Sequence, residues 1–359
     1  MAGKTSATGQ SSPAARRGFS LVEVLIVILI MGVLVGVVGA LMGGFAMNFE
    51  MADDHSIARR RAQDVFNILQ IPVQNAGIGL PLISGDNNFG YCFGISSSTA
   101  AATFAGKVGD WPAPVSLGKS EPDAVSDDVL RVVYSMPSGV KVKGKIDDFS
   151  SLKEVNGESP SLASVKLTRP LSHDITGTFV TFPGIHMHPL FVESGGDEGS
   201  DEISLRGKLP YEKDDDEDVI PRNVIYPYHD MFLVRAGVAY VNNENSVFVF
   251  ADDLMKMVGD PDAWLPTINF GANDPWFRIE GVKAIKFDYS ESSVLTVRVL
   301  AEGDSADSAR NDGTPLRNDL KARWEDHIEA NGGAWDPAIY YEEFSMTWRT
   351  RNVARTIAP

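Results

Sequence analysis

The chain has one cysteine, Cys92, so no disulfide can close within it and its stability has to come from packing. A chain of 359 residues can manage this, because disulfides are needed most in very small secreted domains. Cations are also scarce. Lys and Arg number 32 against 48 Asp and Glu, a formal charge of -16. Such a surface repels nucleic acid, which is held by clustered Lys and Arg that release counterions. Arg59, Arg60 and Arg61 form the one local basic triplet of note. Catalytic signatures are missing as well: there is no GxSxG, no HExxH, no phosphate loop of the GxxxxGKS type and no Cys and His motif of known spacing. The sequence therefore reads as non-enzymatic.

Long apolar runs are absent from all but one place. Residues 1–18 (MAGKTSATGQSSPAARRG) are small, polar and basic, carrying Lys4, Arg16 and Arg17 and no acid. The apolar run comes after Gly18, the reverse of an ordinary secretory signal, in which it precedes the cleavage site. Residues 24–42 (VLIVILIMGVLVGVVGALM) hold no charge, and as a helix they would extend about 28 Å, against a hydrocarbon core of about 30 Å. Arg16 and Arg17 lie just before this run, and Glu50, Asp53 and Asp54 come first after it. This asymmetry predicts a cytoplasmic N-terminus and a translocated C-terminal part. Removing residues 1–18 takes away three cations and leaves 29 basic against 48 acidic residues, a charge of about -19.

Glu23 does not fit a plain anchor. It sits at the start of the apolar segment, fifth if Phe19 is counted first, where an ionisable group is costly unless it is interfacial or partnered. The string RRGFSLVEVLIVILIMGVL (16–34) has a basic stretch, then Gly, Phe, Ser, Leu, Val, Glu and a long apolar helix. It resembles the cleavage and methylation segment of type IV prepilins and type II secretion pseudopilins. The resemblance implies that a prepilin peptidase cuts between Gly18 and Phe19 and methylates the new amine on Phe19. It also implies that Glu23 serves subunit assembly, its carboxylate neutralising the buried N-terminal ammonium of a neighbouring subunit. Gly32, Gly36, Gly39, Gly43 and Gly44 have two readings: close packing of helices, or local loosening of the helix near 39–44.

Beyond the apolar run, Ile57, Ala58, Ala62, Val65, Phe66 and Leu69 recur at helical spacing, predicting an amphipathic continuation that ends near Gln70, before Pro72, Gly77 and Gly79. The AGIGLPL run after it resembles a short segment of PilW-like minor pilins. Strands are predicted at 129–135, 165–168, 178–182, 202–205, 231–235, 236–241, 246–251, 282–289, 294–300 and 343–349. Alternation in VKAIKFDY places Ile285, Phe287 and Tyr289 on one face and leaves Ala284, Lys286 and Asp288 to solvent. Segments 84–125, 193–228 and 303–338 read as long surface loops. The expected fold is α+β and pilin-like, with a long N-terminal helix packed on a mainly antiparallel β-sheet head. Its parts are a cleaved leader (1–18), a transmembrane helix (19–47), an amphipathic continuation (48–75) and a periplasmic head (76–359).

SDDVLRVVYS (126–135), GVKAIKFDYS with VLTVRVL, and EEFSMTWRTRNVA (342–354) resemble landmarks of PilW-like heads, in the same order. The resemblance implies a large minor pilin, with the J-type pseudopilin of type II secretion as its close rival and a tip adhesin as a second. Its expected partners are prepilin peptidase, other minor pilins or pseudopilins, a major pilin and an inner-membrane assembly platform. Its expected location is the inner membrane, single-pass, and then the pilus or pseudopilus. No cofactor is expected. His186 and His188, with His173, Asp174 or Glu193, read as structural or surface side chains ahead of a metal site. The acidic run 212–219 lacks the turn Gly and closing Glu of a calcium loop and reads as solvated, with a site completed by Asp197, Glu198 or Asp201 as the alternative.

Overall fold

The computed structural model describes residues 20–80, 93, 111, 113–119, 127–143, 161–183, 186–207, 211–213, 219–221, 228–242, 245–252, 276–290, 293–306, 315–331 and 333–350. The chain divides into two compact units, Met1–Asp53 and Asp54–Pro359.

Helix α1, Leu21–Gln74, runs through the division. Its second half shows why the helix is needed: Asp54, Ala58, Ala62, Val65, Phe66, Leu69, Pro72 and Val73 are buried at spacings of three and four, which is one face of a helix. Ile57, predicted for that face, is only half-buried. The helix also overruns the predicted stop at Gln70. Pro72 lies inside it, because a buried proline ring replaces in packing what its missing N–H loses, and Asn75 N–H still donates to Ile71 O at 3.0 Å.

After the helix the chain joins a sheet at once. Gly77 N–H donates to Val133 O at 3.0 Å and Ser135 N–H to Asn75 O at 3.3 Å, so the AGIGL segment is held along strand β2 (Val129–Lys141). Strand β1 is Val115–Gly118 and pairs with β2. The remaining strands of the larger sheet are β3 (Ser161–Lys166), β4 (Phe179–Phe182), β5 (His186–Ser194), β6 (Glu202–Gly207), β9 (Asp230–Asn242), β10 (Val247–Ala251) and β11 (Trp276–Glu280). A separate ribbon joins β7 (Tyr211–Lys213) to β8 (Val219–Pro221). Every pairing is antiparallel, in the order β1-β2-β9-β4-β5-β6-β3, with β10 joining β9 and β11 outside that path. Strand β9 organises the sheet. One edge meets β2; the other meets β4 at residues 232–234 and β10 at 238–242. The two strands predicted at 231–235 and 236–241 are thus one strand, paired with β2 without a break from Phe232 to Ala239, and at Gly237 the Phe250 ring presses on its backbone, where an added Cβ would sit 2.8 Å from the ring.

A second antiparallel sheet comprises β12 (Val282–Ser290), β13 (Val294–Ala306) and β14 (Ile339–Arg349). The buried face of α1 packs against both sheets: Ala58, Ala62, Val65, Phe66, Leu69 and Val73 share one core with Leu130, Val132, Tyr134, Phe248 and Phe250, and with Ile285, Phe287, Val297, Val299 and Trp348. Phe66 meets Trp348 edge-to-face with ring centroids 5.9 Å apart. A second core, including Val140, Val142, Val165, Leu167, Val180, Phe182 and Leu190, fills the lobe around β3 to β6.

The predicted loop at 303–338 is corrected. It contains helix α2, Pro315–Ala330, and β13 runs on to Ala306. The expected solvated face of the second sheet is corrected in part: Ala284 is buried and Lys286 half-buried, while Asp288 is exposed as expected. Leu320, Trp324 and Ile328 of α2 cover Ala284, Leu300 and Tyr341, and Lys286 Nζ lies 4.4 Å from the centre of the Trp324 ring. A strip of three apolar residues spaced by four is enough to bury the part of this face around Ala284. The predicted loop at 193–228 carries β7 and β8 as well as β6, whose strand at 202–205 was predicted; strands β1, β5 and β11 were not anticipated. The helix followed by an antiparallel head is the α+β architecture expected.

Candidate functional site

The first described turn of α1 holds the one candidate site residue that the structure places, since Gly18 and Phe19 lie outside the described residues. Ser20 is the N-cap. Its N–H donates to Glu23 Oε2 at 2.9 Å, and its Oγ accepts the Glu23 N–H at 3.2 Å. This reciprocal pair is a capping box, which supplies partners to two amide groups that a helix start otherwise leaves open. Val24 N–H closes the first helical bond on Ser20 O at 3.2 Å. The Glu23 carboxylate therefore sits in the first turn, at the positive end of the helix dipole.

From Leu21 to Met51, every large apolar side chain of α1 is exposed, including Ile26 at 51%, Ile30 at 51% and Val38 at 50%. Among the described residues, α1 is the one helix long and apolar enough to cross a membrane. A Cβ added at Gly32, Gly36, Gly39, Gly43 or Gly44 would meet nothing within 4 Å. Nothing inside the chain therefore requires glycine at these positions. In the isolated chain the helix runs unbroken through 39–44.

At the start of the head, α1 is fastened by polar contacts the sequence did not announce. Arg61 crosses Gly281 (φ 75°), where an added Cβ would lie 2.5 Å from the guanidinium carbon; the guanidinium donates to Glu302 O at 2.7 Å and pairs with Asp304 at 2.7 Å. Asp54, 2% exposed, accepts the Asp304 N–H at 3.2 Å, and His55 pairs with Glu342. The signal available was the break in helical polarity: an acid at position 54 on the apolar face.

Of the other singled-out groups, those whose side chains are described have separate partners. His186 and His188 lie on β5, while His173 contacts Ser172, Asp174 caps Thr176 N–H at 2.8 Å and Glu193 pairs with Arg206 at 2.8 Å. Among the described residues no group of three or more His, Cys, Asp or Glu is placed to hold a metal ion. Of the acidic run, residues 214–218 lie outside the described residues.

Under α2, His327 is buried (1% exposed) and donates through Nε2 to Ile285 O at 3.0 Å. Burial, reinforced by the nearby Lys286 cation and opposed by the Ile285 bond, pulls its pKa down to about 4. Burial also lowers Lys286, against the attraction of Glu343. Glu343 accepts Trp324 Nε1–H at 3.0 Å and pairs with Arg323 at 2.8 Å. The signal for this cluster was the spacing of Leu320, Trp324, His327 and Ile328, diluted by the surrounding charges.

The family model described as the prokaryotic N-terminal methylation motif matches residues 13–39. The match spans the predicted cleavage point, the capping box and most of the apolar run, and it supports a type IV pilin-like protein. No curated protein and no solved structure matches the chain.

Proposed function

We propose that the chain is a non-catalytic minor subunit of a type IV pilus. Prepilin peptidase processes it between Gly18 and Phe19, and it joins other minor pilins in the complex that primes assembly. The observation that carries this reading is the methylation motif at 13–39, on a helix whose large apolar side chains from Leu21 to Met51 are all uncovered in the isolated chain. Such a helix needs a bilayer first and neighbouring helices afterwards. Glu23 is the group placed to neutralise a neighbour's N-terminal ammonium in that setting. The head is periplasmic, and its size favours the filament tip, since a bulky subunit repeated along a shaft crowds its neighbours. Immunogold labelling tests this: gold confined to filament ends is expected, and gold along the whole shaft contradicts it.

The same motif serves type II secretion pseudopilins. Neighbouring genes separate the two systems: pilus motor and retraction components accompany the proposed role, and a secretin-linked export operon accompanies the other.

A further inference from the structure

Strand β14 (Ile339–Arg349) ends the order β12-β13-β14, and among the described residues no strand pairs with its outer edge. At 11 residues it is far longer than β1 and β11, edge strands of 4 and 5 residues. It holds no Pro, Lys or Gly, and its register to β13 runs without a shift from Tyr341 to Arg349. Natural edges are commonly blunted by proline, lysine, bulges or brevity, and this stretch has none of them.

The direction of its outer groups follows from the ladder. Thr350 N–H donates to Ser293 O at 2.9 Å, and Glu302 N–H to Gly281 O at 2.9 Å. Backbone groups alternate sides along a strand, so Glu343, Ser345, Thr347 and Arg349 turn N–H and C=O away from β13. Ser345, Met346 and Thr347, whose side chains point to alternate faces, are all exposed, Met346 at 39%. The middle of the edge is thus open on both faces.

Helix α1 indicates what can lie there. Its His55 ring is 6.3 Å from that of Phe344 and its Phe66 ring 5.9 Å from that of Trp348, so α1 and β14 run side by side in one direction. A second copy would match chemically: antiparallel pairing about Met346 sets Glu343 opposite Arg349, Phe344 opposite Trp348 and Ser345 opposite Thr347. That two-fold, however, reverses α1 in the second copy, whereas subunits anchored by α1 in one membrane or filament all point it the same way.

We infer that the outer edge of β14 receives an extended strand from a different subunit of the same filament. Backbone N–H and C=O groups supply the bonds, as in strand addition generally. The edge defines the partner strand: apolar side chains opposite Phe344 and Met346, hydroxyls or amides opposite Ser345 and Thr347, and an acid opposite the exposed Arg349. Glu343 is already held by Trp324 and Arg323. The edge is continuous with α1, the helix through which subunits pack in the filament role, and the identity of the partner rests on that role.

The edge is tested on the processed full-length protein in detergent micelles, with a labelled peptide copying residues 342–350. The peptide has no α1 to reverse and takes the antiparallel register, so saturable binding is expected. N-methylation of its amides at Glu343, Ser345, Thr347 and Arg349 should weaken binding at least about tenfold, and N-methylation at Phe344, Met346 and Trp348 should leave it unchanged. Ser345→Pro in the protein removes an outward N–H and should weaken binding likewise, with little change in Tm. No binding, or equal weakening by both methylation patterns, would overturn the inference. The partner is tested by a photo-crosslinking residue at Thr347 in cells assembling filaments. Crosslinks to another subunit with a methylated prepilin-type N-terminus are expected; crosslinks only to a second copy, or none, would contradict the assignment. Mass spectrometry of this chain's own N-terminus in the same samples reads the filament role separately.

Discussion

Ser20 and Glu23 cap one another: the Ser20 N–H meets the Glu23 carboxylate at 2.9 Å, and the Glu23 N–H meets the Ser20 hydroxyl at 3.2 Å. The carboxylate that would meet a neighbour's ammonium is thus already held at the helix start, three residues beyond its N-cap. Glu23→Gln keeps an acceptor for the cap and removes the charge. It should leave membrane insertion and cleavage intact and lower incorporation into sheared filaments at least about tenfold, as read by immunoblot. Ser20→Ala should cost the first turn about 1 kcal/mol, seen as faster hydrogen exchange at the amides of Glu23 and Val24.

The contact of Phe66 with Trp348 joins α1 to the second sheet at the centre of the largest core. Phe66→Ala should destabilise the head by about 3–5 kcal/mol in urea denaturation, through lost burial and the cavity left behind. A cost below about 1 kcal/mol would mean that this face of α1 is not packed as described.

Arg61 lies over Gly281, whose backbone is left-handed. Gly281→Ala should strain the turn and push the guanidinium away from Glu302 O and Asp304, at a cost of roughly 1–3 kcal/mol. Arg61→Ala should cost about 1–2 kcal/mol by stranding the partly buried carbonyl. The double variant should cost less than the sum, because the two residues share one contact. Additive losses in a double-mutant cycle would contradict the arrangement.

Acid should weaken the head through His327. Its folded pKa is lowered to about 4 from 6.5, so the unfolded chain binds the proton first as pH falls. The stabilisation is whole above pH 6.5 and is lost progressively toward pH 4, by roughly 3 kcal/mol in all. His327→Leu should flatten that part of the pH profile of Tm. A profile unchanged by the substitution would show that other groups govern the acid limb.

The N-terminal helix and the head differ in how plainly the sequence announces them. The apolar run, Glu23 and the buried stripe from Ala58 to Leu69 follow from local spacing, as do strands such as β12, in which alternation is clean. Helix α2 escaped because Leu320, Trp324 and Ile328 are few among charged neighbours, and its role appears only once the β12 face holding Ala284 is seen to need a cover. The reach of α1 past Pro72 was hidden by a rule about proline that packing overrode. Arg61 and Asp54 find partners some 240 residues away along the chain, which no local pattern reveals.

The central claim is that this is a prepilin-type subunit, cut and methylated at one bond. Mass spectrometry of the mature N-terminus, from cells with and without the prepilin peptidase, tests it most directly. The account predicts a chain beginning at Phe19 with an N-methylated amine, and an uncut chain retaining residues 1–18 when the peptidase is absent. A mature protein that starts elsewhere, or keeps its leader in peptidase-containing cells, would contradict it.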